Sequence, residues 1–165
     1  KVVSTVDDLA TGSFRTVMDD ERARETSSIR RILACSGKIY YELLAAQEAR
    51  GSKDSAIIRF EQLYPFPQTE FAQIMRRYPA IEHVVWVQEE PRNMGAWAFM
   101  RGHIQPMLAP HQAIGYAGRP RSASPAPGLS KVHQREQAQV IEAAFAPPTV
   151  ARLGKRRLIR RRKAR

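Results

Sequence analysis

From Arg31 onward, short apolar runs alternate with stretches of helical period. Arg31-Ile32-Leu33-Ala34-Cys35, Ser55-Ala56-Ile57-Ile58-Arg59-Phe60 and His83-Val84-Val85-Trp86-Val87 are rich in β-branched and aromatic residues, and each reads as a strand covered on both faces. Lys38 to Arg50 follows the first run, with Ile39, Tyr40, Leu43, Leu44 and Ala46 making one apolar face. Thr69 to Tyr78 follows the second, with Phe71, Ile74 and Met75 inward, and Ala96 to Leu108 follows the third. Ala113 to Ala117 is a weaker fourth strand, and a last helix runs from a cap at Ser130 to about Phe145, with Val132, Val140, Ile141, Ala144 and Phe145 facing the core.

The punctuation between these segments agrees with them. Ser36-Gly37 reads as a tight turn with a helix cap, and Gly51-Ser52 ends the first helix. The prolines of Glu61 to Pro67 exclude a helix there and leave a rigid, partly apolar loop. Gln88 to Trp97 is expected to convert the third strand into a polar turn and then a helix. Strands and helices in alternation predict an α/β three-layer sandwich with a mostly parallel sheet of four to five strands. Residues 1 to 30 lack a sustained period and read as an extended lead-in that packs a few side chains and can hide the fifth strand. Within it, Asp19 to Glu25 is expected to be a solvated loop. Residues 31 to 146 form the α/β domain, and 147 to 165 read as a basic, disordered tail.

Composition adjusts this picture in two places. The formal charge of +11 suggests a nucleic-acid ligand, but nine Lys and Arg fall between Arg152 and Arg165 with no acid, leaving about +2 on the rest. The polyanion signal therefore belongs to the tail, which has no aromatic residue to stack bases; nucleic acid is not expected as a partner except through that tail. A single cysteine, Cys35, excludes an internal disulfide framework and reads as buried packing in a reducing compartment. No apolar run approaches the roughly 18 residues of a membrane span, so no membrane partner is expected.

Candidate chemistry concentrates at the end of the third strand, because ligands of open α/β sheets gather outside the carboxyl ends of strands. Glu89 and Glu90 are adjacent carboxylates there, but neighbours on an extended chain point to opposite faces, which argues against a catalytic pair. Structural use fits better: carboxylates accept backbone N–H groups or pair with an arginine of another domain, and Asn93 suits the same turn. His83, His103, His111 and His133 show no metal-ligand spacing, and there is no nucleotide-binding glycine loop or nucleophile elbow. Gly118-Arg119-Pro120-Arg121-Ser122 combines guanidinium donors with a flexible backbone and is suited to a phosphate; a surface loop bent by its Gly and Pro is the plainer alternative. These residues do not by themselves define an active site, metal site or cofactor site.

Four stretches carry a family resemblance: Cys35-Ser36-Gly37-Lys38-Ile39-Tyr40-Tyr41; Arg59-Phe60-Glu61-Gln62-Leu63-Tyr64-Pro65-Phe66-Pro67; Gln88-Glu89-Glu90-Pro91-Arg92-Asn93-Met94-Gly95-Ala96-Trp97; and Tyr116-Ala117-Gly118-Arg119-Pro120 with Ser122-Ala123-Ser124-Pro125. In this order they resemble the C-terminal domain of the thiamine-diphosphate-dependent dehydrogenase component of the 2-oxoglutarate dehydrogenase complex. The resemblance covers roughly residues 1 to 146 and implies a transketolase-type C-terminal domain. It implies a parent enzyme that oxidatively decarboxylates 2-oxoglutarate on thiamine diphosphate with Mg²⁺, in the bacterial cytoplasm or mitochondrial matrix. The succinyl unit would pass to lipoyl groups of the dihydrolipoyl succinyltransferase partner.

In that family the cofactor ligands lie in preceding domains, so the resemblance implies a packing and dimer-interface domain without a catalytic centre, set against those domains and a second subunit of a homodimer. Gln88, Glu89, Glu90, Pro91, Asn93 and Trp97 are the implied contact residues. Arg119, Ser122 and His133 are the implied candidates for a regulatory anion near the interface. The chain departs from the family at Pro127 and in the tail after Phe145, which inherits no family role. The competing expectation is a free-standing regulatory or interaction domain of the same fold whose tail contacts acidic partners.

Overall fold

A computed structural model describes residues 3–147, so the expected basic tail lies outside the described residues apart from Pro147. Five strands form one sheet: β1 (Val17–Met18), β2 (Arg31–Cys35), β3 (Ser55–Phe60), β4 (His83–Pro91) and β5 (Ala113–Arg119). They lie in the order β1-β3-β2-β4-β5, with β1 antiparallel to β3 and the remaining pairs parallel. The helices are α1 (Val6–Ala10), α2 (Ile39–Arg50), α3 (Gln68–Arg77), α4 (Trp97–Ile104) and α5 (Ser130–Phe145). This is the expected mostly parallel α/β sandwich, and β1 is the fifth strand hidden in the lead-in. The rest of that lead-in is not uniformly extended: Thr5 and Asp8 close a capping box on α1, and Thr26–Ser28 forms a 3-10 turn.

Strand side chains alternate between two cores, as the pleat requires. Ile32, Ala34, Ala56, Ile58, Phe60, Val84 and Trp86 pack with α3 and α4 through Phe71, Ile74, Trp97, Met100 and Ile104. Leu33, Cys35, Ile57, Val85, Val87 and Ala117 pack with α2 and α5 through Ile39, Leu43, Val140 and Ala144. Burial on both faces explains why the central strands read as continuous apolar runs. Cys35 is fully buried, and burial pushes its thiol pKa up to about 12, consistent with a packing role.

Two expected caps are replaced. The N-caps of α2 and α5 are Lys38 and Leu129, and neither helix carries a side-chain cap from Ser36 or Ser130. At the other end of α2, Gly51 takes a left-handed φ of 59° and its N–H reaches Gln47 O and Glu48 O. Asp20, expected in a solvated loop, is buried: its carboxylate accepts from Ile57 N at 3.0 Å and from the Arg22 guanidinium. That bond pins the lead-in to β3 from 37 residues away in sequence.

Chain order places a switch point between β2 and β4: the chain leaves β2 for β3 on one side and leaves β4 for β5 on the other. The carboxyl ends of these strands therefore diverge around a crevice. Ser36, Lys38, Tyr64, Gln88, Glu90 and Phe99 are among the residues lining a cleft of about 590 Å³ there.

Candidate functional site

The polar turn expected at Gln88 is a continuation of β4. From the Val87–Ala117 pair to the Pro91–Arg119 pair, β4 advances four residues while β5 advances two, so Gln88, Glu89 and Glu90 span a bulge. Bulged backbone leaves carbonyls without ladder partners, and a buried unpaired carbonyl is costly. Side chains satisfy them here. Arg119 donates to Glu89 O at 2.9 Å, Tyr116 Oη lies 3.3 Å from Glu90 O and 3.0 Å from Arg119 O, and the Gln88 amide reaches Glu90 O, Pro91 O and Met94 O.

Gln88 is the centre of this arrangement. It is 4 % exposed, and its Oε1 accepts from Trp86 Nε1 and from Trp97 N, both at 2.9 Å. The second contact satisfies a free N–H at the start of α4, which has no other side-chain cap. Gly95 makes the return possible: its φ is 63°, and a Cβ there would lie 2.9 Å from Gln88 Nε2. Gly118 is needed on the neighbouring strand, because a Cβ would overlap the Tyr116 hydroxyl and stand 2.9 Å from Gln88 O.

Glu89 and Glu90 face opposite sides. Glu89 accepts from Lys38 Nζ at 2.5 Å and from Gln137 Nε2 at 3.0 Å, joining β4 to the start of α2 and the middle of α5. Hydrogen bonding to Glu89, helped by Glu42, raises the Lys38 pKa despite partial burial. Glu90 is exposed, and its Oε2 lies beside Gly95.

Arg119 is 6 % exposed and serves several partners: beyond Glu89 O, it lies 3.1 Å from His133 Nδ1, 3.2 Å from Gln137 Oε1 and 3.1 Å from Glu136 Oε2. His133 is thus brought to Arg119. Ser122 is brought instead to Asn93, with Asn93 Nδ2 donating to Ser122 O at 2.9 Å and Ser122 N donating to Asn93 Oδ1 at 3.0 Å. Among the six corner residues, Gln88, Pro91 and Trp97 are buried within this chain, Glu89 is half-buried, and Glu90 and Asn93 are exposed. Lys38, Tyr116 and Gln137 complete the site, and the sequence reading assigned them no site role. Only Tyr116 and Lys38 had a signal, as members of the quoted stretches; Gln137 reaches the site by a tertiary contact.

The fold and this corner define a mostly parallel α/β domain whose sheet-end polar groups are largely consumed in holding a bulge closed. Among the described residues, no group of three or more His, Cys, Asp and Glu is placed to hold a metal ion. The profile of the 2-oxoglutarate dehydrogenase C-terminal family matches residues 3–145, and the chain belongs to that family. It is 45% identical over 144 residues to the 2-oxoglutarate dehydrogenase E1 component of Cupriavidus necator, covering 87% of this chain and 15% of that protein. The Azotobacter vinelandii E1 component is 42% identical over 146 residues, covering 87% of this chain and 16% of the relative. That of Brucella abortus is 40% identical over 159 residues, covering 88% and 16% respectively. The chain therefore spans about 15–16% of the length of these relatives.

Proposed function

We propose that the chain acts as the C-terminal domain of a 2-oxoglutarate dehydrogenase E1 component, as a packing and dimer-interface unit with no catalytic centre of its own. The observation that carries this reading is where its groups are spent. Gln88, Glu89, Arg119 and Asn93 are engaged inside the chain, whereas Val3, Val6, Leu9 and Phe14 of the lead-in are 87%, 80%, 79% and 71% exposed. Apolar side chains concentrated on one segment favour burial against another surface. In this reading Glu90 and Asn93 present the corner to that surface, while Gln88, Pro91 and Trp97 set its shape and Glu89 holds it to two helices.

Thiamine diphosphate and Mg²⁺ would be held by the preceding domains. The described residues do not fit them: Glu89 is committed to Lys38 and Gln137, and the Gln88 amide points into the bulge. The wider role is participation in oxidative decarboxylation of 2-oxoglutarate and succinyl transfer to the lipoyl groups of a succinyltransferase partner. The purified chain, given 2-oxoglutarate, thiamine diphosphate and Mg²⁺, is expected to release no CO₂ above background; sustained turnover would overturn the reading. The coding sequence upstream of Lys1 separates it from a free-standing interaction domain: further thiamine-diphosphate domains in frame support it, and a nearby start codon opposes it.

A further inference from the structure

We propose that Arg31 of β2 clamps the carboxyl end of α5 and that His83 of β4 gates the clamp, closed when the imidazole is neutral and opened when it is protonated. The clamp lies at the amino ends of the strands, on the opposite side of the sheet from the corner around Gln88. α5 ends without the usual devices: its C-cap, Ala146, has a φ of -62° rather than a left-handed conformation, and its last turn carries no basic residue. Arg31 takes over from a distant strand, its Nη1 donating to Ala144 O at 3.2 Å and to Ala146 O at 2.8 Å, across 113 and 115 residues of sequence. Among the described residues Arg31 pairs with no carboxylate, so its charge serves the negative end of the helix.

Strand register sets His83 opposite Arg31, and the backbone of both is held: Arg31 N donates to Asp54 O at 3.1 Å and His83 N to Arg30 O at 3.2 Å. Two side-chain nitrogens of this pair, Arg31 Nε and His83 Nδ1, are buried without a hydrogen-bond partner. The first is a donor. The second is an acceptor only in a neutral ring whose proton sits on Nε2. In that form the imidazole offers the guanidinium a lone pair. Protonated, it presents another donor and a like charge to a group already short of acceptors, and the guanidinium is driven off the α5 carbonyls. The surrounding charges do not offset this. Glu82, which favours the protonated ring, pairs with Arg30 at 3.5 Å; Asp54 accepts from Ser52 Oγ at 2.7 Å; Glu142 of α5 pairs with Arg50 of α2; and Ala113, opposite His83 on β5, is uncharged. Burial and then Arg31 lower the His83 pKa, so the clamp is closed above pH of about 6.5 and opens as the pH falls through the lowered value. Acid therefore loosens the last turn of α5 ahead of the rest of that helix.

The test is amide hydrogen exchange followed by NMR on the 165-residue chain, corrected for the intrinsic effect of pH, with the His83 ring nitrogens titrated in the same samples. The Ala146 amide, which donates to Glu142 O at 2.9 Å, is expected to lose protection about tenfold as His83 protonates, and to lose more than Val140 earlier in α5. His83→Gln, whose amide oxygen accepts at every pH, should keep Ala146 protected in acid, and Arg31→Gln should leave it poorly protected throughout. Protection unchanged as His83 titrates, an equal loss in His83→Gln, a fall no larger than that at Val140, or a neutral ring with its proton on Nδ1 would each overturn the proposal. Should Arg31→Gln fail to fold, the unmodified chain and His83→Gln decide among these outcomes.

Discussion

At Gln88 one side-chain amide supplies contacts that a regular strand pair would have drawn from backbone. It accepts from an indole and from the first N–H of α4, and donates to three carbonyls of the bulge and its return. Replacing it with Leu removes these contacts from largely buried groups, at a cost of about 3 kcal/mol. Urea denaturation measures this, and a loss below about 1 kcal/mol would show that water or relaxed backbone satisfies the bulge. Gly118→Ala is expected to cost about 1–3 kcal/mol by forcing Tyr116 away from the carbonyls it serves; an unchanged urea midpoint would contradict that. The residues of this network were visible in the sequence as a conspicuous stretch, but their role was not. A polar run after an apolar strand has the signature of a turn, and nothing local reveals that Tyr116 and Arg119 will complete the hydrogen bonding from the next strand.

At the scale of elements, β2, β3, β4 and helices α2 and α5 were legible because their apolar positions follow the periods of two and 3.6 that burial imposes. Pairing was not. Asp20 looked solvated because its partner, Ile57 N, is distant in sequence, and β1 is only two residues long. Pairing also sets Arg31 of β2 opposite His83 of β4, a juxtaposition no local pattern contains. Burial, and then the Arg31 charge, lower the His83 pKa, and its Nδ1 is buried without a hydrogen-bond partner. Between the lowered value and the ordinary one of about 6.5, the unfolded chain binds more protons than the folded one. This contribution to stability is therefore complete above pH of about 6.5 and falls as the pH drops toward the lowered value. Urea midpoints at pH 7.5 and 5 are expected to differ less in His83→Gln than in the unmodified chain; an equal pH dependence would exclude His83 as a source.

For the whole molecule, the two-core sandwich explains stability, while the exposed lead-in is what supports the proposed packing role. The described residues bury a continuous core on each side of the sheet but leave Val3, Val6, Leu9 and Phe14 uncovered. The chain also spans only 15% of the Cupriavidus necator E1 component. Fold class and family resemblance were legible in the sequence because they depend on local runs; the division between satisfied corner and uncovered lead-in depends on which side chains find partners, and that required coordinates. The most direct test grafts residues 3 to 145 in place of the matching segment of the Cupriavidus necator E1 component and measures 2-oxoglutarate decarboxylation with and without Val6→Ser, Leu9→Ser and Phe14→Ser. The packing account expects an active, dimeric graft whose rate and dimer fraction fall at least about tenfold with the three serines, since each removes roughly 1.5–3 kcal/mol of burial when its side chain is covered. A serine-substituted graft as active and as fully assembled as its parent would contradict the account.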